Sequence, residues 1–267
     1  MSPIVIFLIK ELRDAQRNKY LLPIYLVLPP IAIGLSIGAA FLAPTMMKTE
    51  QNDPLILAVL QTVGSVAEFS GMSLEEAFTR FLLRNTLAFY LLLPVGLSAA
   101  TAAFSIVAEK QQRTLEPILA TPITDLEFLV GKLVASLVPS IILTWITALL
   151  AVVVVNGITW GTYSTPLLPD RFWAIAVFVL APLLGTASVL AAMRFSAKMT
   201  DPQAANQFTG LIIVPTFMLG IGVFGRLLTV SMLAVGVACF ATLLLALFLL
   251  RLNLRKFQRE EILTKWK

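Results

Sequence analysis

The residues best placed to do chemistry lie in one polar stretch, 109–137, reading EKQQRTLEPILATPITDLEFLVGKLVASL between long apolar runs. Their chemistry is recognition rather than bond-breaking. Lys110, Gln111, Gln112 and Arg113 keep the stretch at a water surface, while Leu115, Ile118 and Leu119 give it an apolar side. Glu109, Arg113 and Glu116 can supply polar pairing to a partner whose groove takes the three apolar side chains. Thr114 can cap a short helix with Pro117 in its first turn, where a missing N–H costs little. Thr121-Pro122 stops that helix, and Thr124-Asp-Leu-Glu127 is a capping box that starts the next one at Asp125. Lys132 can snorkel from that helix to the interface. An ordinary hydrophilic turn rarely needs two caps and two prolines, so the pattern points to a docking element.

A second set of groups is weakly polar. Ser98, Thr101 and Ser105 share one helical face, and Ser136, Ser140, Thr144 and Thr147 share another. They could line a translocation path. The plainer reading is helix packing through small hydroxyl residues, at about 0.6 kcal/mol per contact. No charge stands in the middle of an apolar run, where one would cost roughly 2.5–3.5 kcal/mol and would signal an ion or proton site.

Other chemistry is excluded by residue type. There is no His, which removes the usual proton shuttle and the commonest metal ligand. The single Cys239 can form no internal disulfide, and no phosphate-binding loop of the G-x-x-x-x-G-K-[ST] kind is present. The chain is therefore expected to have no catalytic residues, no metal site and no bound cofactor of its own. Its net charge of +5 sits beside apolar runs, where topology and anionic lipid account for it, so no nucleic-acid partner is expected.

The elements that must position these residues are membrane helices. Of 267 residues, 58% are hydrophobic and 13% charged, too little polar surface for a soluble domain. The apolar blocks reach the ~20 residues a bilayer crossing needs. The expected fold is an all-α integral membrane protein forming one transmembrane domain. Its six spans are 21–43, 85–108, 125–155, 172–193, 208–224 and 227–250. Residues 1–20 read as an interfacial amphipathic helix, with Ser2 as N-cap, Pro3 at its first position and Lys10, Arg13, Asp14 and Arg17 on one face. Fifteen of the 20 Lys and Arg residues fall on the side of the termini, which puts both termini and the 109–124 loop in the cytoplasm of a cell-membrane protein. On the other side, 44–84 reads as a small extracytoplasmic helical cap. Asp53-Pro54 starts one helix there, and the Ser73-Leu-Glu-Glu76 capping box starts another that runs into the second span. The tail 251–267 is basic and cytoplasmic.

The 109–132 stretch resembles the permease subunits of ABC type-2 transporters. In that family a motif of the form E-[KR]-x-x-G-T-L-E-x-[IL]-L-x-[TS]-P-[IV]-[ST]-x-x-E-[IFL]-L-x-G-K joins spans two and three. Glu109, Lys110, Thr114, Leu115, Glu116, Leu119, Thr121, Pro122, Thr124, Glu127, Leu129, Gly131 and Lys132 fit it without gaps. KELRDAQRNK ahead of a proline-bearing first span, and Pro215 in the fifth, are weaker matches. The resemblance implies a pair of six-span permeases, as a homodimer or with a close homologue, resting on two cytoplasmic ATPase subunits that carry the ATP and magnesium. It implies that the loop is a coupling helix, that the N-terminal helix is an interfacial elbow, and that transport is export or extraction from the inner leaflet. An apolar lining suits a hydrophobic or amphipathic substrate. Two departures are specific. Arg113 stands where the family has Gly, and spans five and six leave no room for re-entrant helices. The 44–84 cap is then the segment available to shape the outer end. Two other readings of the residues stay open: a nucleotide-independent carrier or channel, and a lipid-binding scaffold whose basic tail contacts membrane lipid.

Overall fold

The protein is described by a computed structural model, which places residues 9, 13, 22–49, 53–64, 69–111, 124–163, 165–196 and 232–256. In chain order these form α1 (Leu22–Thr49), α2 (Pro54–Gly64), α3 (Leu74–Asn85), α4 (Leu87–Gln111) and α5 (Asp125–Thr159). There follow α6 (Arg171–Ile175), a π-helical turn (Ala176–Leu180), α7 (Ala181–Ser196) and α8 (Met232–Lys256). Among the described residues there is no strand.

Five helical runs are long and apolar enough to cross a membrane: Tyr25–Thr49, Leu74–Glu109, Leu126–Thr159, Arg171–Ser196 and Met232–Leu254. They correspond to the expected spans one to four and six. The expected fifth span, 208–224, lies outside the described residues. So do residues 257–267 and all of 1–20 except Ile9 and Arg13, which are helical and exposed.

Several helices run beyond the expected span limits, and two of these extensions take in parts of the expected cap and tail. The first span was expected to end at 43 and the cap to begin at Pro44, but α1 continues through Pro44 to Thr49. A proline inside an apolar helix removes one N–H without ending the helix when neighbouring groups serve the freed carbonyls. Beside it, the Thr45 hydroxyl adds a 2.8 Å bond to the Leu42 carbonyl. At the other end of the chain, α8 runs past 250 to Lys256, taking in residues assigned to the tail. Asn253 Nδ2 holds that extension to α7 through the Leu190 carbonyl, at 2.9 Å.

The cap was legible in outline. Helix α2 follows Asp53-Pro54, and α3 leads into α4 across a single turn residue, Thr86. Ser73 caps α3 by accepting from the Glu76 N–H at 3.2 Å. Glu76 does not complete a capping box, however. Its carboxylate instead takes bonds from Arg80 at 3.0 Å and Thr165 at 2.8 Å.

Helix α4 is the centre of the bundle. Helix α7 packs along it, α5 lies on its flank, α1 crosses α3, α4 and α5, and α8 lies on α7. Small residues permit the α4–α7 approach. Ser98, Ala99, Ala102 and Ala103 on α4 are buried, as are Gly185, Ser188 and Ala192 on α7. A Cβ added to Gly185 would lie 2.7 Å from Leu137 Cδ1 and 3.4 Å from Pro94 Cβ, so glycine is needed there for contact rather than for backbone shape. Pro182 accounts for the π-helical turn next to it. The turn closes with the Ala181 N–H on the Ala176 carbonyl. The following residue, being proline, has no N–H to give Val177. The Trp145 indole reaches that carbonyl from α5, at 3.4 Å.

Candidate functional site: the loop end of the bundle

Residues 112–123, with Arg113, Thr114, Leu115, Glu116, Ile118, Leu119 and Thr121, lie outside the described residues. What is described is how both ends of that loop are held. Before it, α4 stays helical to Gln111. After it, α5 opens with a complete capping box. The Thr124 hydroxyl accepts from the Glu127 N–H at 3.2 Å, and the Glu127 carboxylate accepts from the Thr124 N–H at 2.8 Å. Two residues three positions apart close this device, which is why it was legible in the sequence.

The loop's base is also tied from one helix to the other. Lys132 Nζ lies 2.9 Å from Glu109 Oε2, and their side chains are 0% and 5% exposed. The contact is an ion pair rather than a well-aligned hydrogen bond. The ammonium donates to Ser105 Oγ at 2.6 Å and stands 5.4 Å from the centre of the Phe128 ring. Ser105 and Glu109 are one turn apart on α4, and Phe128 and Lys132 one turn apart on α5. Four side chains thus close one contact.

This corrects the expectation that Lys132 snorkels to the interface. Snorkelling needs an open path from stem to water. Here the stem points into the α4–α5 seam, and a carboxylate waits there. Glu109 was grouped with the docking residues, but its carboxylate faces this seam. The two residues are 23 apart across the loop, and nothing local in the sequence joins them.

The hydroxyl residues lie inside the subunit. Ser98, Thr101, Ser136, Ser140 and Thr144 are all buried. Thr101 bonds the Leu97 carbonyl at 2.8 Å, Ser140 the Ser136 carbonyl at 3.0 Å, and Thr144 the Ser140 carbonyl at 2.7 Å. Thr147 does the same with Leu143, at 2.7 Å. Ser98 bonds the Pro94 carbonyl and meets the Ser188 hydroxyl of α7 at 3.2 Å. Ser105 serves Lys132.

A denser polar cluster, which the sequence reading did not assemble, occupies the opposite end of the bundle. Arg84 Nε meets Asp170 Oδ2 at 2.6 Å, and its guanidinium lies 4.8 Å from both the Phe69 and Phe172 ring centres. Arg80 bonds Glu76, the Thr165 hydroxyl at 3.1 Å, and the carbonyls of Pro166 and Leu167 at 2.9 and 3.3 Å. Asn156 holds the same loop by accepting from the Leu167 and Leu168 N–H groups at 2.9 and 3.1 Å. The peptide bond between Leu168 and Pro169 is cis. Glu76, Arg80 and Arg84 stand at i, i+4 and i+8, so their shared face was readable. Their partners on 165–172, more than 80 residues away, were not.

Two long helices tied by a buried ion pair, the second opened by a capping box, within a multi-span bundle, are the setting for the comparison with known proteins. A family model described as ABC-2 type transporter matches residues 3–229, most of the chain. The chain belongs to this family. The match includes the loop and the undescribed region that holds the expected fifth span. No curated protein matches the chain. As an ABC-2 transporter membrane domain the chain is a multi-pass membrane protein and a transporter permease. Its family implies partnership with an ATP-binding subunit.

Proposed function

We propose that this permease forms the membrane path of an ATP-driven exporter and is driven by two cytoplasmic ATPase subunits that dock on residues 113–121. ATP and magnesium belong to those subunits, and this chain carries no catalytic residue. A second permease copy, identical or closely related, completes the complex. Both termini and the loop face the cytoplasm of the cell membrane, as the distribution of Lys and Arg favours. The cargo is hydrophobic or amphipathic.

The observation that carries this reading is the family match over 3–229 together with the motif that fills its loop. Within that loop Leu115, Ile118 and Leu119 provide the apolar contact, and Arg113 and Glu116 the polar one. Thr114 and Thr121 bound the short helix that the sequence predicts between them. Glu109 acts at the base of the loop, because its carboxylate is engaged by Lys132. The hydroxyl stripe supports packing better than a path, since Thr101, Ser140 and Thr144 are buried and turned onto their own helices.

Leu119→Asp tests the docking. The expected result is loss of the ATPase subunit on purification and loss of transport, with the permease itself still folded. A mutant complex that copurifies and turns over normally would remove the loop from the account. Transport by the permease in liposomes without any ATPase would favour a nucleotide-independent carrier instead.

A further inference from the structure

We propose that Glu109 and Lys132, assisted by Ser105 and Phe128, are positioning residues that make α4 and α5 move as one body when the loop between them is pushed. This rests on the reading of 113–121 as the ATPase dock. The pair stands two residues before the last described residue of α4 and seven after the start of α5, so it joins the two helices on either side of residues 112–123. Without such a tie, a force on the loop could slide one helix along the other.

The rest of the α4–α5 seam offers little against sliding. Ser140, Thr144 and Thr147 on α5 spend their hydroxyls on their own helix. Other buried residues of α5, among them Ala135, Leu137, Ala148 and Ala151, are alanine or aliphatic and offer no polar tie to α4. Apolar ridges interlock turn by turn, so a slip of one whole turn re-seats them and costs them little. The ion pair fixes the register, because Lys132 is wholly buried and a slip of one turn, about 5 Å, would strand its charge away from Glu109. Ser105 holds the same ammonium from one turn deeper on α4, at 2.6 Å, so the key engages at two levels.

The test uses the permease bound to its ATPase subunit in nanodiscs, with Cys239→Ser to remove the native thiol. Spin labels go on the exposed positions Gln111 and Leu126, one on each helix at the loop end. Distances are read with and without MgATP and vanadate. In the otherwise wild-type complex the distance stays the same, because both helices move together. In the neutral double variant Glu109→Gln/Lys132→Met, which leaves no charge stranded, nucleotide shifts the distance by about one helical turn, ~5 Å. The swapped variant Glu109→Lys/Lys132→Glu returns it towards the wild-type behaviour. If the neutral variant keeps its ATPase and responds like wild type, or the swap fails to restore a response lost in a folded complex, the positioning role is overturned. Failure of the wild-type permease to bind the ATPase at all would instead overturn the docking reading beneath it.

Discussion

At the loop end one lysine meets one glutamate, helped by a single hydroxyl and a single ring. At the opposite end two arginines gather two carboxylates, a hydroxyl, two backbone carbonyls and two aromatic faces. Both sites bury charge, but they fix different things. A guanidinium is a planar fork whose bonds set angles as well as distance, and an ammonium is a point charge on a flexible stem. The arginine end is therefore held in one geometry, with α3 clamped to the loop before α6. The loop end is held by a point contact, which fixes separation more than angle. That difference suits the proposed push from an ATPase at the loop end.

The largest effect expected on this contrast comes from Lys132→Ala. It leaves Glu109 buried without its cation and should cost about 3–5 kcal/mol, read as a large fall in the thermal unfolding midpoint in detergent. Removing both charges should cost much less than removing one. At the other end, Arg84→Lys keeps the charge and loses the fork and the stacking between Phe69 and Phe172. Its expected cost is about 1.5–3 kcal/mol. If Arg84→Lys were neutral, the geometric clamp would reduce to a simple charge and the contrast would vanish. Between the two ends, Gly185→Val pushes α7 off Leu137 and Pro94 and should cost about 1–3 kcal/mol without altering either polar site. Tyr90→Phe, which removes bonds to Ser36 at 2.9 Å and to the Ala32 carbonyl at 3.2 Å, should cost only about 0.6 kcal/mol. A larger loss there would place the bundle's strongest tie in its middle rather than at its ends.

The sequence made local features readable and long-range ones obscure. The Thr124 box, the Ser73 cap and the helix after Pro54 each depend on residues within one turn, and all three stand in the structure. Five of the expected spans were visible as apolar blocks, and the last of them, α8, runs past 250 to Lys256. By contrast, Glu76 looked like half of a capping box, yet its carboxylate serves Arg80 and Thr165, the latter 89 residues away. Lys132 looked like a snorkelling residue because charge counting assigns every cation near a span end to the interface. Only the meeting of α4 and α5 reveals its acid. The π-helical turn was hidden for the same reason, since Pro182 announces a missing N–H and Trp145, from another helix, answers it.

The central claim is that the loop end, and not the arginine end, receives the drive from an ATPase. A photo-crosslinking residue placed at Leu119, and separately at the exposed Leu74 on the cap, tests it in the intact complex with a co-expressed ATPase subunit. The account predicts that the ATPase is captured from position 119, that capture changes with MgATP, and that none is captured from position 74. An intact, ATP-hydrolysing complex with no capture from 119, or with equal capture from 74, would contradict it.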